Sequence, residues 1–253
     1  MQEQETVFNS LLARSRHRPG VSVETWRRDA FSDARLRELH AFSDRLMAEA
    51  FEHFRQHALT NDVVHVFRCR DTGEVVGFQF WRTADMSLPR SRVILGGKLR
   101  MDPAFRNRGL HLLSGLAFFL RQKLRHPFTR YYRLSIASVF GFVSIAEALH
   151  DYRFVKMDSQ DREEQAVVDS FRQLAKQNDF QLDERSGLMA VNIFMTPETL
   201  QGYPRAWFER PAARTYATAN PGFRTNGCFV NFWFRFTPRN LYALVSRIMR
   251  KLG

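Results

Sequence analysis

The sequence contains few of the residues that would support disulfide bonds, secretion or membrane insertion. Its 253 residues include only two cysteines, and Cys69 and Cys228 stand too far apart for a metal site, so we interpret them as reduced packing residues. Residues 1–5 carry no cationic region and no apolar stretch follows them, which argues against a secretory signal. The longest uncharged run, residues 134–146, is shorter than the about 20 residues of a membrane-spanning helix. We therefore predict a cytoplasmic protein.

Acidic residues are missing from the end of the chain. The net charge is +12, and no Asp or Glu follows Glu209. The cations of this region are Arg210, Arg214, Arg224, Arg235, Arg239, Arg247, Arg250 and Lys251. Such asymmetry favours an anionic partner, which could be a phosphate-bearing cofactor, an acidic carrier protein or a membrane surface, with a solvated basic face as the alternative. Nucleic acid is disfavoured because no nucleic-acid reader motif accompanies the charge.

Hydrophobic periodicity predicts a mixed α/β fold, in which a mostly antiparallel sheet is flanked by helices. Strands are predicted at 21–26, 63–67, 75–81, 92–101, 131–138, 152–157, 188–195 and 228–236. One long helix is predicted from its N-cap Ser32 to Phe54, and others at 110–124, 139–150, 161–177 and from Pro238 onward. We divide the chain into a core, residues 1–157, and a C-terminal extension, residues 158–253, packed on that core.

The segment 99–111 carries the strongest chemical signal. A predicted strand ends there, Pro103 sets a turn, and an Arg-x-x-Gly loop opens a leucine-rich helix. The N–H groups at a helix start lack internal partners and carry the positive end of the helix dipole. Gly109 lets a ligand approach without a Cβ in the way, and Arg106 and Arg108 add charge. The segment therefore predicts a cradle for a phosphate or pyrophosphate, with an ordinary strand-to-helix turn as the alternative.

This segment resembles the signature of the GNAT superfamily of acyl-CoA N-acyltransferases, and residues 71–78 resemble the hairpin that precedes it. The resemblance covers residues 21–155 and implies a GNAT-like sheet, a coenzyme A thioester as donor and an amine as acceptor. The loop residues that it assigns to the pyrophosphate are Arg106, Asn107, Arg108, Gly109, Leu110 and His111. The strand residues that it assigns to the pantetheine arm are Leu99 and Met101.

Two features depart from the family pattern. His111 stands where a small residue is usual, so its ring would either crowd the pyrophosphate or donate a hydrogen bond to it. Leu149 stands where the family has a tyrosine acid, and Phe142 where it has an asparagine. Leucine cannot protonate a leaving thiolate, so another group serves or the activity is lost or altered.

Four side chains are candidates for acid or base work in place of that tyrosine. They are Ser138 after the fifth strand, Asp85 after the third, Glu147, and His150 beside the missing tyrosine. Direct attack of the amine on the thioester is predicted, since neither cysteine stands in a nucleophile setting, and no metal is expected. The competing hypothesis is a non-catalytic GNAT-like binding module that acts through a partner protein or an anionic membrane.

An aromatic-rich set is interpreted first as core and alternatively as a tunnel for a medium or long acyl chain. Its members are Phe118, Phe119, Phe140, Phe142, Phe229, Phe232, Trp233, Phe234 and Phe236. GNAT-like enzymes that make N-acyl amino acids take the chain from an acidic acyl carrier protein. The resemblance therefore also implies carrier-bound phosphopantetheine as a donor. His65 is interpreted as a core histidine, while Tyr131 or Tyr132 could reach the active cleft because they face opposite sides of their strand.

The last predicted helix, which starts at Pro238, has an apolar stripe with cations on or beside its other face. The stripe consists of Leu241, Leu244, Val245, Ile248, Met249 and Leu252. Two interpretations stay open. The helix either docks on the sheet through its stripe or lies on anionic lipid as a peripheral contact at the inner membrane surface.

Overall fold

The computed structural model describes residues 19–46, 49–194 and 200–252. Within them the chain forms two compact units. Unit 1 comprises residues 19–84, 94–127 and 244–252, and unit 2 comprises residues 85–93 and 128–243, apart from the gaps just given. The boundary that we predict after residue 157 falls inside unit 2, and the division into core and extension stays a prediction. Two of our predictions fall on residues outside the described ranges. They are the absence of a secretory signal, argued from residues 1–5, and the end of the predicted strand 188–195 at residue 195.

Four strands run through unit 1 in the order β1-β2-β3-β4. They are β1 (Val21–Arg27), β2 (Val63–Cys69), β3 (Val75–Asp85) and β4 (Ser91–Met101). β1 pairs with β2, and β2 with β3, in antiparallel registers. Strands β2 and β3 are rich in valine and aromatic residues, which favour strands because β-branched and aromatic side chains pack well on a pleated surface. All four predicted strands are confirmed here.

The helices of unit 1 are α1 (Asp33–Asp44), α2 (Phe51–Leu59) and α3 (Leu110–Arg125). Ser32 caps α1 as predicted, since its side chain accepts a hydrogen bond from the Arg35 N–H. The prediction of one long helix to Phe54 is wrong, because Ala50 has an extended backbone and α2 begins after it. Both helices bury residues in one core cluster with β3, whereas a single straight helix over residues 33–59 would be about 40 Å long and leave that cluster.

His65 of β2 is a buried core histidine, as predicted. Its Nδ1 lies 2.7 Å from the Ser114 hydroxyl, which also accepts a hydrogen bond from the Trp81 indole N–H at 2.8 Å. Because Trp81 already donates to this hydroxyl, the hydroxyl proton is free to point at Nδ1, an arrangement that fits a neutral imidazole. Burial, with a smaller contribution from the positive charge of Arg121, lowers the pKa of His65 to about 4.

This lowered pKa predicts a stability that depends on pH. The unfolded chain binds a proton at His65 near its ordinary pKa of 6.5, while the folded chain binds it only near 4, so the folded state loses stability as pH falls through that window. We expect the urea midpoint to decrease from pH 7.5 to pH 5 and the decrease to be smaller in His65→Gln. The matched control is exposed His126→Gln, which should keep the parent's dependence. Equal dependence in His65→Gln and the parent would contradict this account.

Unit 2 contains strands in the order β5-β9-β8-β7, and β6 also pairs with β9. They are β5 (Arg130–Ala137), β6 (Arg153–Phe154), β7 (Gln181–Leu182), β8 (Leu188–Ala190) and β9 (Cys228–Arg235). These pairings are antiparallel. Strands β6 and β8 are shorter than predicted, and the sequence analysis missed β7. The predicted fold class, a mixed and mostly antiparallel sheet flanked by helices, is confirmed.

Helices in unit 2 pack on this sheet and build an aromatic core. They are α4 (Val139–Ala146), α5 (Arg162–Gln177), α6 (Arg205–Phe208), α7 (Pro211–Ala219) and the first residues of α8 (Pro238–Leu252). The ring of Phe142 lies with its centroid 5.1–5.6 Å from those of Phe154, Tyr216 and Phe232. Phe142, Tyr216 and Phe232 are fully buried, which supports the core interpretation of the aromatic set rather than an acyl tunnel.

The last helix, α8, is docked through part of its apolar stripe. Leu244 and Ile248 are buried, while Val245 and Met249 are 43% and 45% exposed. The side chain of Leu252 lies outside the described part of the structure. None of the helices in the described ranges has the length and apolarity that crossing a membrane requires.

Candidate functional site

The loop between β4 and α3 has the geometry that its sequence predicts. The Asp102 carboxylate accepts a hydrogen bond from the Ala104 N–H at 2.8 Å and starts a short 3₁₀ turn at Pro103. Gly109 is the N-cap of α3 and has a φ of +73°, a left-handed conformation that favours glycine. Asn107 also has a positive φ, of +63°. The left-handed conformations of Asn107 and Gly109 therefore turn the chain from the end of β4 into the first turn of α3.

Two arginines of this loop donate hydrogen bonds to backbone carbonyls. Arg106 donates from Nε to the Met101 carbonyl at 3.2 Å. Arg108 donates to the carbonyls of Pro19 and Ala104 at 2.9 and 3.2 Å, and its guanidinium lies over a neighbouring phenylalanine ring. A guanidinium has five N–H donors, and the contact of Arg106 with the Met101 carbonyl uses one of them. The first turn of α3 contains no acidic residue, which keeps the local charge positive.

The structure adds one cation that the sequence analysis did not place at this loop. A Cβ on Gly109 would lie 3.3 Å from Cδ and 3.4 Å from Cβ of Lys251, so the side chain of Lys251 packs against Gly109. Burial, with a smaller contribution from the Lys251 charge, lowers the pKa of His111 to about 4. His111 is thus neutral at physiological pH and keeps one N–H donor. The only sequence signal for Lys251 is the absence of acidic residues after Glu209.

A second polar cluster surrounds the bend of β4 and was not predicted. Lys98 has a φ of +37° and forms an ion pair with Glu49, which also lies 2.5 Å from Nδ1 of His53. A Cβ on Gly97 would lie 2.6 Å from Nε2 of His57, so only glycine allows this approach. Among the described residues, Glu49 Oε2 and His57 Nε2 are buried without a hydrogen-bond partner. The close approach of His57 therefore requires glycine at position 97, next to the bend at Lys98.

The four candidate acid–base residues all lie in unit 2. Ser138 is the N-cap and Glu147 the C-cap of α4, so they stand at opposite ends of a helix about 12 Å long. Glu147 forms an ion pair with Arg210. Asp85 is 91% exposed at its side chain and pairs with Arg92 at 3.2 Å.

His150 is exposed, and its backbone N–H donates to the Asn240 side chain at 2.9 Å. Leu149 packs against the aromatic core of unit 2. Tyr132 is buried and its hydroxyl donates to Glu163 at 2.6 Å. Burial, together with this carboxylate, raises the pKa of Tyr132 to about 12. Tyr132 is therefore held as a structural donor, and Tyr131 is buried as well.

The described residues contain no group of three or more His, Cys, Asp or Glu side chains that could hold a metal ion. The polar groups described so far are suited to anion binding and ion pairing.

Comparison with family models found no match, and neither did comparison with curated proteins. The solved structures similar to this chain include several acetyltransferases. An acetyltransferase from Trypanosoma brucei is 16% identical over 56% of this chain and 97% of that chain, with a TM-score of 0.37. A GCN5-related N-acetyltransferase from Brucella melitensis is 14% identical over 91% of this chain and 82% of that chain, with a TM-score of 0.41.

A third similar structure is Arabidopsis thaliana Naa50 in complex with the bisubstrate analogue CoA-Ac-MVNAL. It is 11% identical over 84% of this chain and 97% of that chain, with a TM-score of 0.36. At such identities and TM-scores the likeness leaves the function to be argued from the residues of the chain itself.

Proposed function

We propose that this chain is an N-acyltransferase that moves an acyl group from a coenzyme A thioester to an amine. The observation that supports this most is the loop after β4, where Gly109 opens α3 in a left-handed conformation beside three cations, Arg106, Arg108 and Lys251. Backbone N–H groups at such a helix start, together with nearby cations, suit a pyrophosphate.

The residues present fit coenzyme A, whose thioester supplies the activated acyl group when it is bound. The N-terminal turn of α3 and Arg106 would hold its pyrophosphate, and the backbone of Leu99 and Met101 would lie along its pantetheine arm. The amine nitrogen attacks the thioester carbonyl carbon, so that a C–N bond forms as the C–S bond breaks. The sulfur leaves as thiolate, and the nitrogen releases its proton to solvent water. Because a thiol is acidic enough to leave as thiolate near neutral pH, the missing tyrosine slows this step rather than preventing it. A general acid contributes about 10²–10⁴-fold, which sets the size of the loss.

Calorimetry of the full chain with coenzyme A and a panel of acyl-CoA thioesters tests the proposal. Micromolar binding of a thioester, followed by release of free thiol when an amine is added, is the expected result. An acidic acyl carrier protein loaded with an acyl chain belongs in the same panel, because the positive net charge supports such a donor. If none of these donors binds, the enzyme proposal has no support.

A non-catalytic binding module is the second candidate, and the packing of Leu149 into the aromatic core favours it, since no acid occupies that position. Thiol release separates the two candidates. A chain that binds coenzyme A thioesters but releases no thiol in the presence of any amine is the module. A cytoplasmic location fits both candidates and stays a prediction.

His111→Gly reports what the ring does for the donor. The neutral ring keeps one N–H group that can donate a hydrogen bond. Because the substitution removes this group, we expect the variant to bind coenzyme A more weakly. Calorimetry measures the change in affinity. The control is His126→Gly, at an exposed position. Gly115→Ala is unsuitable as a control because Trp81 crowds that position. Tighter binding by His111→Gly would show that the ring is a steric block.

A further inference from the structure

Glu49 is a nearly buried carboxylate whose two oxygens differ in their contacts. Its side chain is only 12% exposed. Oε1 accepts a hydrogen bond from Lys98 and lies 2.5 Å from Nδ1 of His53. Oε2 is buried and has no hydrogen-bond partner among the described residues. All three residues belong to unit 1. Because buried polar atoms in folded proteins are nearly always paired, this oxygen points to a partner that the described chain does not supply.

The chain holds Glu49 in place from three elements. On the side of α1, the Glu49 N–H donates to the Asp44 carboxylate at 3.2 Å, and Nε2 of His40 lies 2.5 Å from the Glu49 carbonyl oxygen. Its side chain is held by His53 of α2 and Lys98 of β4. Both side-chain contacts are made to Oε1, so they fix the carboxylate and leave Oε2 to another donor. A group held in this way is pre-organised for binding or proton transfer.

The surroundings of Glu49 keep it ionised at neutral pH. Burial alone raises the pKa of Glu49, but the hydrogen bonds and charges of Lys98 and His53 outweigh burial, so this pKa lies below its ordinary value. Arg100 of β4 is a further positive charge that interacts with this carboxylate. His57 of α2 is neutral, because burial, and then the charge of Lys98, lower its pKa to about 4. Oε2 is therefore an anionic acceptor, which prefers an N–H donor that gains positive charge.

We propose that Glu49 binds the acceptor amine and takes its proton during acyl transfer. This inference rests on the proposed function. The nitrogen becomes positively charged and acidic as its bond to the thioester carbonyl carbon forms. One proton then moves from the nitrogen to Oε2 of Glu49, and from there to water, while the thiolate leaves. Lys98 and His53 are positioning residues, because they act through Oε1.

The order of residues along β4 supports this assignment. The donor loop follows Met101, and we assign the pantetheine arm to the backbone of Met101 and Leu99. Lys98, which holds Glu49, is the next residue in the same direction along the strand. Leu99 is 41% exposed, so solutes reach this part of β4. The carboxylate thus stands beside the strand that we assign to the donor.

Thiol release by the full chain tests the proposal, with the acyl-CoA thioester that binds best as donor and with benzylamine and hexylamine as probe acceptors. Glu49→Gln should lower kcat by about 10²–10⁴-fold and leave the affinity for coenzyme A unchanged. This deficit should shrink as pH rises, because hydroxide then accepts the proton that Glu49 takes in the parent. The matched control is Glu52→Gln, which changes a 63% exposed carboxylate near the start of α2 and should behave like the parent.

Amine binding is measured separately by calorimetry in the presence of coenzyme A, which carries no acyl group to transfer. Glu49→Gln should bind the two amines at least about tenfold more weakly than the parent and Glu52→Gln. Circular dichroism verifies that each variant is folded. If Glu49→Gln unfolds because Lys98 is left unpaired, Glu49→Gln/Lys98→Met replaces it, since this variant removes both charges of the ion pair together.

Three outcomes overturn the proposal. The first is equal amine affinity and equal thiol release in Glu49→Gln and the parent, and the second is a deficit that does not change with pH. The third is acylation of Lys98 in place of the added amine, seen as a mass increase of the intact chain. A parent chain that binds no coenzyme A thioester contradicts the acyltransferase proposal instead. In that case the amine affinities of the parent and Glu49→Gln, measured without a donor, still decide whether Glu49 binds amines.

Discussion

Removal of residues 238–253 is expected to unfold the chain or to drive it to aggregate. The reason is that α8 contributes to the core: Leu244 and Ile248 are buried. Loss of two fully buried aliphatic side chains costs about 1.5–3 kcal/mol each, and the surface that they cover would become exposed. Size-exclusion chromatography and near-ultraviolet circular dichroism of the shortened chain measure the outcome.

Asn240 makes the same helix indispensable to unit 2. Its Oδ1 accepts hydrogen bonds from the N–H groups of His150 and Asp151, both at 2.9 Å. Its Nδ2 donates to the carbonyls of Asp151 and Arg235 at 3.1 and 2.9 Å. Asn240 is completely buried, so truncation would leave these backbone groups without the partner that replaces water.

The point substitution Asn240→Ala isolates this contribution. We expect it to lower the free energy of unfolding by roughly 2–3 kcal/mol, because several buried backbone groups lose their hydrogen bonds together. Met249→Ala, at an exposed position of the same helix, is the control and should change stability little.

The truncation has its own contradicting outcome. A chain without residues 238–253 that stays monomeric and folded, and loses only its binding to anionic vesicles, would contradict docking of α8 and support an interfacial helix.

The sequence predicts the strands of this protein better than its helices. Strands β2 and β3 are found because each is a short run rich in valine and aromatic residues, and the turn at residues 71–74 lies between them. The helix predicted from Ser32 to Phe54 fails, because helical periodicity continues through Ala50 while the backbone there is extended. The chain is interrupted between α1 and α2 because both helices pack on a core shared with β3. The residues of β3 are distant in sequence, so the local pattern does not show the interruption.

Similar limits apply to the candidate site. Gly109 and Arg106 are found because loop and helix start are adjacent in the sequence. Lys251 is 142 residues away from Gly109, and the pair Glu49 and Lys98 is separated by 49 residues, so no local pattern connects them. A replacement for the tyrosine acid cannot be deduced from the sequence either, since the four candidates come from different segments of the chain and Ser138 and Glu147 stand at opposite ends of α4.

Arg106→Ala is expected to weaken binding of the coenzyme A donor by ~1.5–3 kcal/mol, or about 10- to 150-fold in Kd, if a guanidinium–phosphate contact is lost. Arg106 is exposed, and its contact with the Met101 carbonyl uses a single N–H donor. The substitution should therefore leave the fold intact. Calorimetry with coenzyme A at low and moderate salt gives the affinity, and the deficit should shrink as salt screens the charge.

The controls for this experiment are a variant at the far end of the same helix and a second donor. Arg125→Ala removes an exposed arginine from the far end of α3 and should leave donor affinity unchanged. Dephospho-coenzyme A, which lacks the 3′-phosphate but keeps the pyrophosphate, should show the same relative loss with Arg106→Ala. A loss confined to the full coenzyme would move Arg106 to the 3′-phosphate. Unchanged affinity for both donors, with an unchanged unfolding midpoint, would mean that Arg106 only braces the loop, and the pyrophosphate would then depend on Arg108, Lys251 and the helix start.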